Sequence, residues 1–105
     1  MNTSSHQHSP HELQAVLAAS EPPLLLDVRE YPEYAAGYLK GARLIPLAEI
    51  ERRAGELPKD QPIVAMCRTG KRSAEAAATL AHLGFTNVSQ LAGGVTAWEQ
   101  AGLPL

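Results

Sequence analysis

The sequence predicts an α/β fold built on a mostly parallel sheet, and three observations predict it. Short, continuously apolar runs at Leu24–Val28 and Ile63–Met66 suit strands buried on both faces. Segments with helical spacing of apolar residues separate those runs. Proline and glycine punctuate the boundaries, so strand and helix alternate along the chain, as they do in a helix-flanked parallel sheet.

Each element has a local reason. Met1 to Gln7 is polar and reads as frayed or as a short first strand. Ser9-Pro10-His11-Glu12 then forms a capping box with proline at the first helical position. Leu13, Val16 and Leu17 carry a helix from Pro10 to Ala19, and Ser20-Glu21-Pro22-Pro23 stops it. The strand Leu24–Val28 ends on the polar pair Asp27 and Arg29. Tyr31 to Tyr38 predicts a brief helical turn, followed by a bend between Gly37 and Gly41 and a strand from Arg43 to Ile45. Leu47, Ile50, Ala54 and Leu57 share one face of the next helix. Pro58 to Gln61 is a turn before the strand Ile63–Met66. The helix Ser73–Leu83 is rich in alanine, which favours helix and permits close approach to a sheet. Gly84 suits a left-handed helix end, with Phe85 as an apolar anchor. A strand at Val88–Leu91, a tight turn at Gly93-Gly94 and a helix Val95–Ala101 complete the order.

With 105 residues the chain is expected to form one domain, 1–105, burying on the order of two-thirds of its unfolded surface. A net charge of -2 gives no nucleic-acid footprint, because a domain that grips phosphate backbones carries a basic excess. No stretch reaches membrane-spanning length, and Met1 to Pro10 lacks the apolar core of a secretory signal, so a cytoplasmic location is expected. His6, His8, His11 and His82 have no metal-ligand spacing, and neither metal nor cofactor is expected. Trp98 and the three tyrosines are too scattered for a stacking platform, and core packing is their default role.

Chemistry is expected where the strand Ile63–Met66 runs into Cys67, the only cysteine, and the basic loop Arg68-Thr69-Gly70-Lys71-Arg72-Ser73. One cysteine forms neither an internal disulfide nor a two-cysteine couple, so any sulfur chemistry ends on another molecule. A helix start presents unpaired N–H groups and partial positive charge, which stabilise an anion. A thiol that ordinarily titrates near ~8.5 falls to roughly 3.5–7.5 in such a setting. Cys67 is therefore read as an exposed thiolate in a cradle of backbone N–H groups from Arg68 to Ser73. Arg68 and Lys71 are the cations that attract an anionic donor. Arg72 either joins them or braces the loop against Asp27 or a nearby glutamate. Asp27 and Arg29 are read as a structural pair that supports loop geometry. The competing bland reading of Cys67 is a small buried hydrophobe.

Three segments in order, LLLDVREYPEYAAGYLKGARLIPL, CRTGKRS and LGFTNVSQLAGGVTAWEQAGLPL, carry a resemblance to the rhodanese-like domains, specifically the small single-domain sulfurtransferases, from about Ser9 to Leu105. The resemblance implies a five-stranded, mostly parallel sheet flanked by helices, with His6 to His8 supplying the short first strand. It also implies that Cys67 takes a sulfane sulfur from a donor such as thiosulfate, becomes a persulfide, and passes the sulfur to cyanide, a thiol or a protein acceptor. Gly70 matches the family's loop glycine, and Arg72 with Ser73 its helix entry. The chain departs from the family pattern at Tyr38 and Lys40, where histidine and proline are common. It also departs at Glu33, where the two-domain thiosulfate enzymes place an arginine. The alternative is a non-enzymatic sulfur-relay or protein-recognition module. Cysteine-dependent phosphatases and arsenate reductases carry five residues between cysteine and arginine, against four here between Cys67 and Arg72. The shorter ring fits one sulfur better than a tetrahedral oxyanion.

Overall fold

A computed structural model describes residues 6–105. Five strands form one sheet in the order β1-β5-β4-β2-β3, every neighbouring pair parallel. They are β1 (Gln7–His8), β2 (Leu24–Asp27), β3 (Arg43–Leu44), β4 (Ile63–Met66) and β5 (Val88–Leu91). The helices are α1 (Pro10–Leu17), α2 (Tyr31–Ala36), α3 (Ile50–Arg53), α4 (Lys71–His82) and α5 (Gly94–Gln100). The expected α/β fold with a five-stranded parallel sheet is present. The expected short first strand is formed by Gln7 and His8, which pair with Gln90 and Leu91. Met1 to Ser5 lie outside the described residues.

Alternation along the strands divides the core in two. Leu26, Val28, Ile63 and Cys67 face one way and pack with Ile50, Ala54, Ala76, Leu80 and Phe85 from the α3 and α4 side. Leu25, Val64, Met66 and Leu91 face the other way, against Leu13, Val95 and Trp98 of α1 and α5. Burial of each such large side chain contributes about 1.5–3 kcal/mol relative to exposure, which is what holds the helices to the sheet. The capping box forms as expected: the Ser9 N–H donates to Glu12 Oε1 at 2.8 Å and the Glu12 N–H to Ser9 Oγ at 3.2 Å.

Several element ends differ from the sequence reading by a residue or two, and two differences have a local cause. The single helix expected over Leu47–Leu57 is a succession of a 3-10 turn at Leu47–Glu49, α3, and a second 3-10 turn at Ala54–Glu56. Gly55 weakens the helix at the second 3-10 turn, while the ion pairs of Arg52 and Arg53 with Glu49 and Glu56 tie the successive turns together. α4 starts two residues earlier than expected, at Lys71, because Gly70 adopts φ +108° and turns the chain directly into the helix.

Strand order places the functional end. Chain connections run outward from β2 toward β3 and from β4 toward β5, so the adjacent carboxyl ends of β2 and β4 flank a point where the winding reverses. Loops leaving such a point diverge and open a crevice, where ligands of open α/β sheets bind. Asp27 ends β2 and Met66 ends β4, one residue before Cys67.

Candidate active site

β4 delivers Cys67 to the crevice, and the next six residues curl around its sulfur. The Gly70 N–H donates to Sγ at 3.0 Å and the Ser73 N–H at 3.3 Å. Burial pushes the thiol up, but the bonds from Ser73 and Gly70, with a smaller pull from the Thr69 amide, together outweigh it and hold Cys67 below the ordinary thiol value. Of the N–H cradle expected from Arg68 to Ser73, the amides of Gly70 and Ser73 are the ones hydrogen-bonded to the sulfur.

Exposure is a correction. Cys67 is not an exposed thiolate: the residue is 1% exposed and joins the α4-side core. Closing the Gly70 and Ser73 amides onto one sulfur pulls the loop over it, so the contacts that favour the anion also cover it.

The second wall of the ring is α5. The Val95 N–H donates to the Cys67 carbonyl at 2.8 Å and the Thr96 N–H to the Arg68 carbonyl at 3.0 Å. A Cβ on Gly94 would overlap both carbonyls, so only glycine lets the helix come this close. Gly93-Gly94 is therefore more than the tight turn read from the sequence. Ser73 is fully buried; its hydroxyl lies 3.1 Å from the Gly70 carbonyl, 3.1 Å from Gln90 Oε1 and 3.7 Å from Cys67 Sγ.

The charged residues sort into two groups. Arg29 and Asp27 form a buried pair: Arg29 Nε lies 3.0 Å from each Asp27 oxygen, and Nη2 lies 2.8 Å from Oδ2 and 2.8 Å from the Gly37 carbonyl. Arg72 does not reach Asp27. It makes a forked ion pair with Glu33, at 2.6 and 2.9 Å, and Arg68 Nε adds a third contact at 3.1 Å. Glu33 is also anchored in its own helix, accepting from the Glu30 N–H at 2.9 Å. The Arg72 guanidinium, chiefly, holds the Glu33 carboxyl down to about 2. Glu33 thus bridges α2 and α4 across the crevice. Among the described residues, Lys71 is the cation of this loop without an ion pair, and it is exposed together with Arg68 and Thr69.

Sequence reasoning missed the contribution of Gln90 to this site. The bracing of Arg72 by a nearby glutamate is as expected, and Glu33 is that glutamate. Gln90 left a readable signal, a long polar side chain inside a strand that is otherwise buried. No described group of histidine, cysteine, aspartate or glutamate is arranged to hold a metal ion, and no described helix is long and apolar enough to cross a membrane.

Comparison with known proteins agrees with this geometry. Residues 9–101 match the family model "Rhodanese-like domain". The chain is 42% identical over 89 residues to a sulfurtransferase of Allochromatium vinosum, covering 85% of this chain and 83% of that protein. It is 36% identical over 85 residues to the thiosulfate sulfurtransferase GlpE of Pseudoalteromonas translucida, covering 81% of each. A crystal structure of a rhodanese-related protein from Thermoplasma volcanium superposes with a TM-score of 0.86 at 29% identity, covering 94% of this chain and 95% of that one. Other curated relatives are far longer, and the chain spans 24% of their length. On these grounds the chain belongs to the rhodanese-like domain family.

Proposed function

We propose that this protein moves a sulfane sulfur from a small anionic donor of the thiosulfate type to a thiophilic acceptor through a persulfide on Cys67. The observation that carries this reading is the convergence of two backbone N–H groups, those of Gly70 and Ser73, on one thiol sulfur. A thiolate is the species that attacks sulfur, and lowering its proton affinity without a neighbouring base provides it near neutral pH. Cys67 Sγ attacks the outer sulfur of thiosulfate, a new S–S bond forms, the donor's S–S bond breaks, and sulfite leaves with the bonding pair. The terminal persulfide sulfur then carries the negative charge that the loop amides are preorganised to stabilise. Cyanide or a thiolate attacks that sulfur, takes it, and regenerates the Cys67 thiolate. The cycle is ping-pong.

Burial of Cys67 adds a step. Donor access requires the exposed side chains of the loop to give way, while its backbone stays held by Thr96 and by the start of α4. Lys71, free of an ion pair, is the cation best placed to attract the donor, with the clamped Arg68 and Arg72 shaping the loop. A second reading, a relay module loaded by a partner protein, is favoured by the longer relatives in which a related segment makes up about a quarter (24%) of the chain.

Intact mass after incubation with thiosulfate, then cyanide, tests the reading. The native chain gains one sulfur that cyanide removes as thiocyanate, and Cys67→Ser gains none. Equal labelling of both proteins would reject Cys67 as the carrier. Loading only from a persulfidated protein, never from thiosulfate, would select the relay.

A further inference from the structure

Ser73 has one hydroxyl proton and three acceptors in reach: the Gly70 carbonyl, Gln90 Oε1 and the Cys67 sulfur. Gln90 is the one of these contributed from outside the loop. It sits on β5, 4% exposed, in register with Ala65 of β4 and Gln7 of β1, with its own N–H held by the His6 carbonyl at 2.9 Å. Strand pairing on both sides fixes its backbone, so its amide oxygen is presented to Ser73 from a rigid sheet rather than from a mobile loop.

We propose that Gln90 is a positioning residue that draws the Ser73 hydroxyl proton away from the Cys67 sulfur and thereby limits how strongly the nucleophile is hydrogen-bonded. The inference rests on Cys67 being the reactive group of the proposed function. Its chemistry follows from competition. With Gln90 in place, the hydroxyl spends its proton on a neutral amide oxygen and the thiolate keeps more of its electron density for attack. Without that acceptor, the hydroxyl turns to the sulfur, the thiolate becomes easier to form, and it becomes a weaker nucleophile, because nucleophilicity falls as a thiol's acidity rises. A polar residue in a buried strand is thereby explained by the site it faces.

The test is a pH titration of thiolate ultraviolet absorbance, assignable because the chain has one cysteine. It is run on the native chain, Gln90→Met, Gln90→Glu, Ser73→Ala, and Ser73→Ala combined with each Gln90 change. Gln90→Met moves the midpoint down by about half a pH unit, and Gln90→Glu moves it up, a charged acceptor holding the proton more firmly. In the Ser73→Ala background the Gln90→Met shift vanishes, and the Gln90→Glu shift shrinks to the direct repulsion between two buried negative charges. Any other contact of the amide is lost equally in both backgrounds, so a Gln90→Met shift that persists without the Ser73 hydroxyl would overturn the proposal. So would an unmoved midpoint, or an upward shift in Gln90→Met. If Gln90→Met does not fold, the near-isosteric Gln90→Glu decides by its shift with and without the Ser73 hydroxyl, equal shifts overturning the proposal. The titration does not require sulfur transfer, so failure of thiosulfate loading with these shifts intact would reject the donor reading and leave Gln90 in its role.

Discussion

Two acid–arginine pairings flank the Cys67 loop, and they differ in depth. Asp27 and Arg29, at the end of β2, have side chains 0% and 4% exposed, whereas Glu33 with Arg72 lies nearer the rim, at 19% and 31%. The chemistry is the same, but the consequences are not. A buried pair is held by geometry once its desolvation cost has been met, and removing one member strands the other without water. A pair near the rim remains hydrated when broken and is screened by salt. The deep pair thus fixes where β2 ends and where the Gly37 bend passes, while the rim pair joins two helices across the crevice and holds the loop arginines.

The largest effect that could break this contrast is Asp27→Asn. Arg29 keeps its charge and loses its counter-charge, and the cost is about 3–5 kcal/mol, measured by urea unfolding. A loss below about 1 kcal/mol would mean that the deep pair is no more important than the rim one.

Glu33→Gln is the intermediate case. Stability falls by about 1 kcal/mol or less, yet sulfur loading slows several-fold, because Arg68 and Arg72 are both released. The acid side gives an independent check. Glu33 is depressed from an ordinary 4.5 to about 2, so its contribution is present above the ordinary value and fades as pH falls through about 2. Melting curves of the native chain should therefore lose an increment between those limits that Glu33→Gln lacks. Identical acid profiles would remove Glu33 from the account.

Arg68→Gln is expected to do least. Its side chain is 57% exposed and shares a carboxylate that Arg72 already occupies, so stability changes by no more than about 0.5 kcal/mol. Loading rates at several salt concentrations sharpen the point. A rate dependence that survives the substitution assigns donor attraction to Lys71, and one that disappears assigns it to Arg68.

Much of this molecule is legible in the sequence because its signals are local. Apolar runs give β2 and β4, the Ser9–Glu12 box starts α1, and Gly84, at φ +97°, follows the end of α4 as a left-handed helix stop should. The cysteine at a strand end before a basic helix start is likewise a local pattern. What escaped depends on long-range approach. Glu33 meets Arg72 across 39 residues, Ser73 meets Gln90 across 17, and the depth of Cys67 follows from how tightly the loop closes. None of these separations leaves a periodic trace. The three-part helical segment around α3 escaped for a different reason, since its apolar spacing fits a continuous helix and does not distinguish α from 3-10 turns.

The grip of α5 on the loop carries a consequence for the sign of the field at the sulfur. In a planar trans peptide unit the C=O and N–H point in opposite directions. The Arg68 carbonyl and the Thr69 N–H belong to one such unit, and Thr96 holds the carbonyl while the N–H favours the anion at Cys67. A crankshaft rotation of that unit would turn an oxygen toward the thiolate and convert an attractive dipole into a repulsive one. The last helix of the chain therefore acts as a polarity lock on the first nucleophilic atom of the loop.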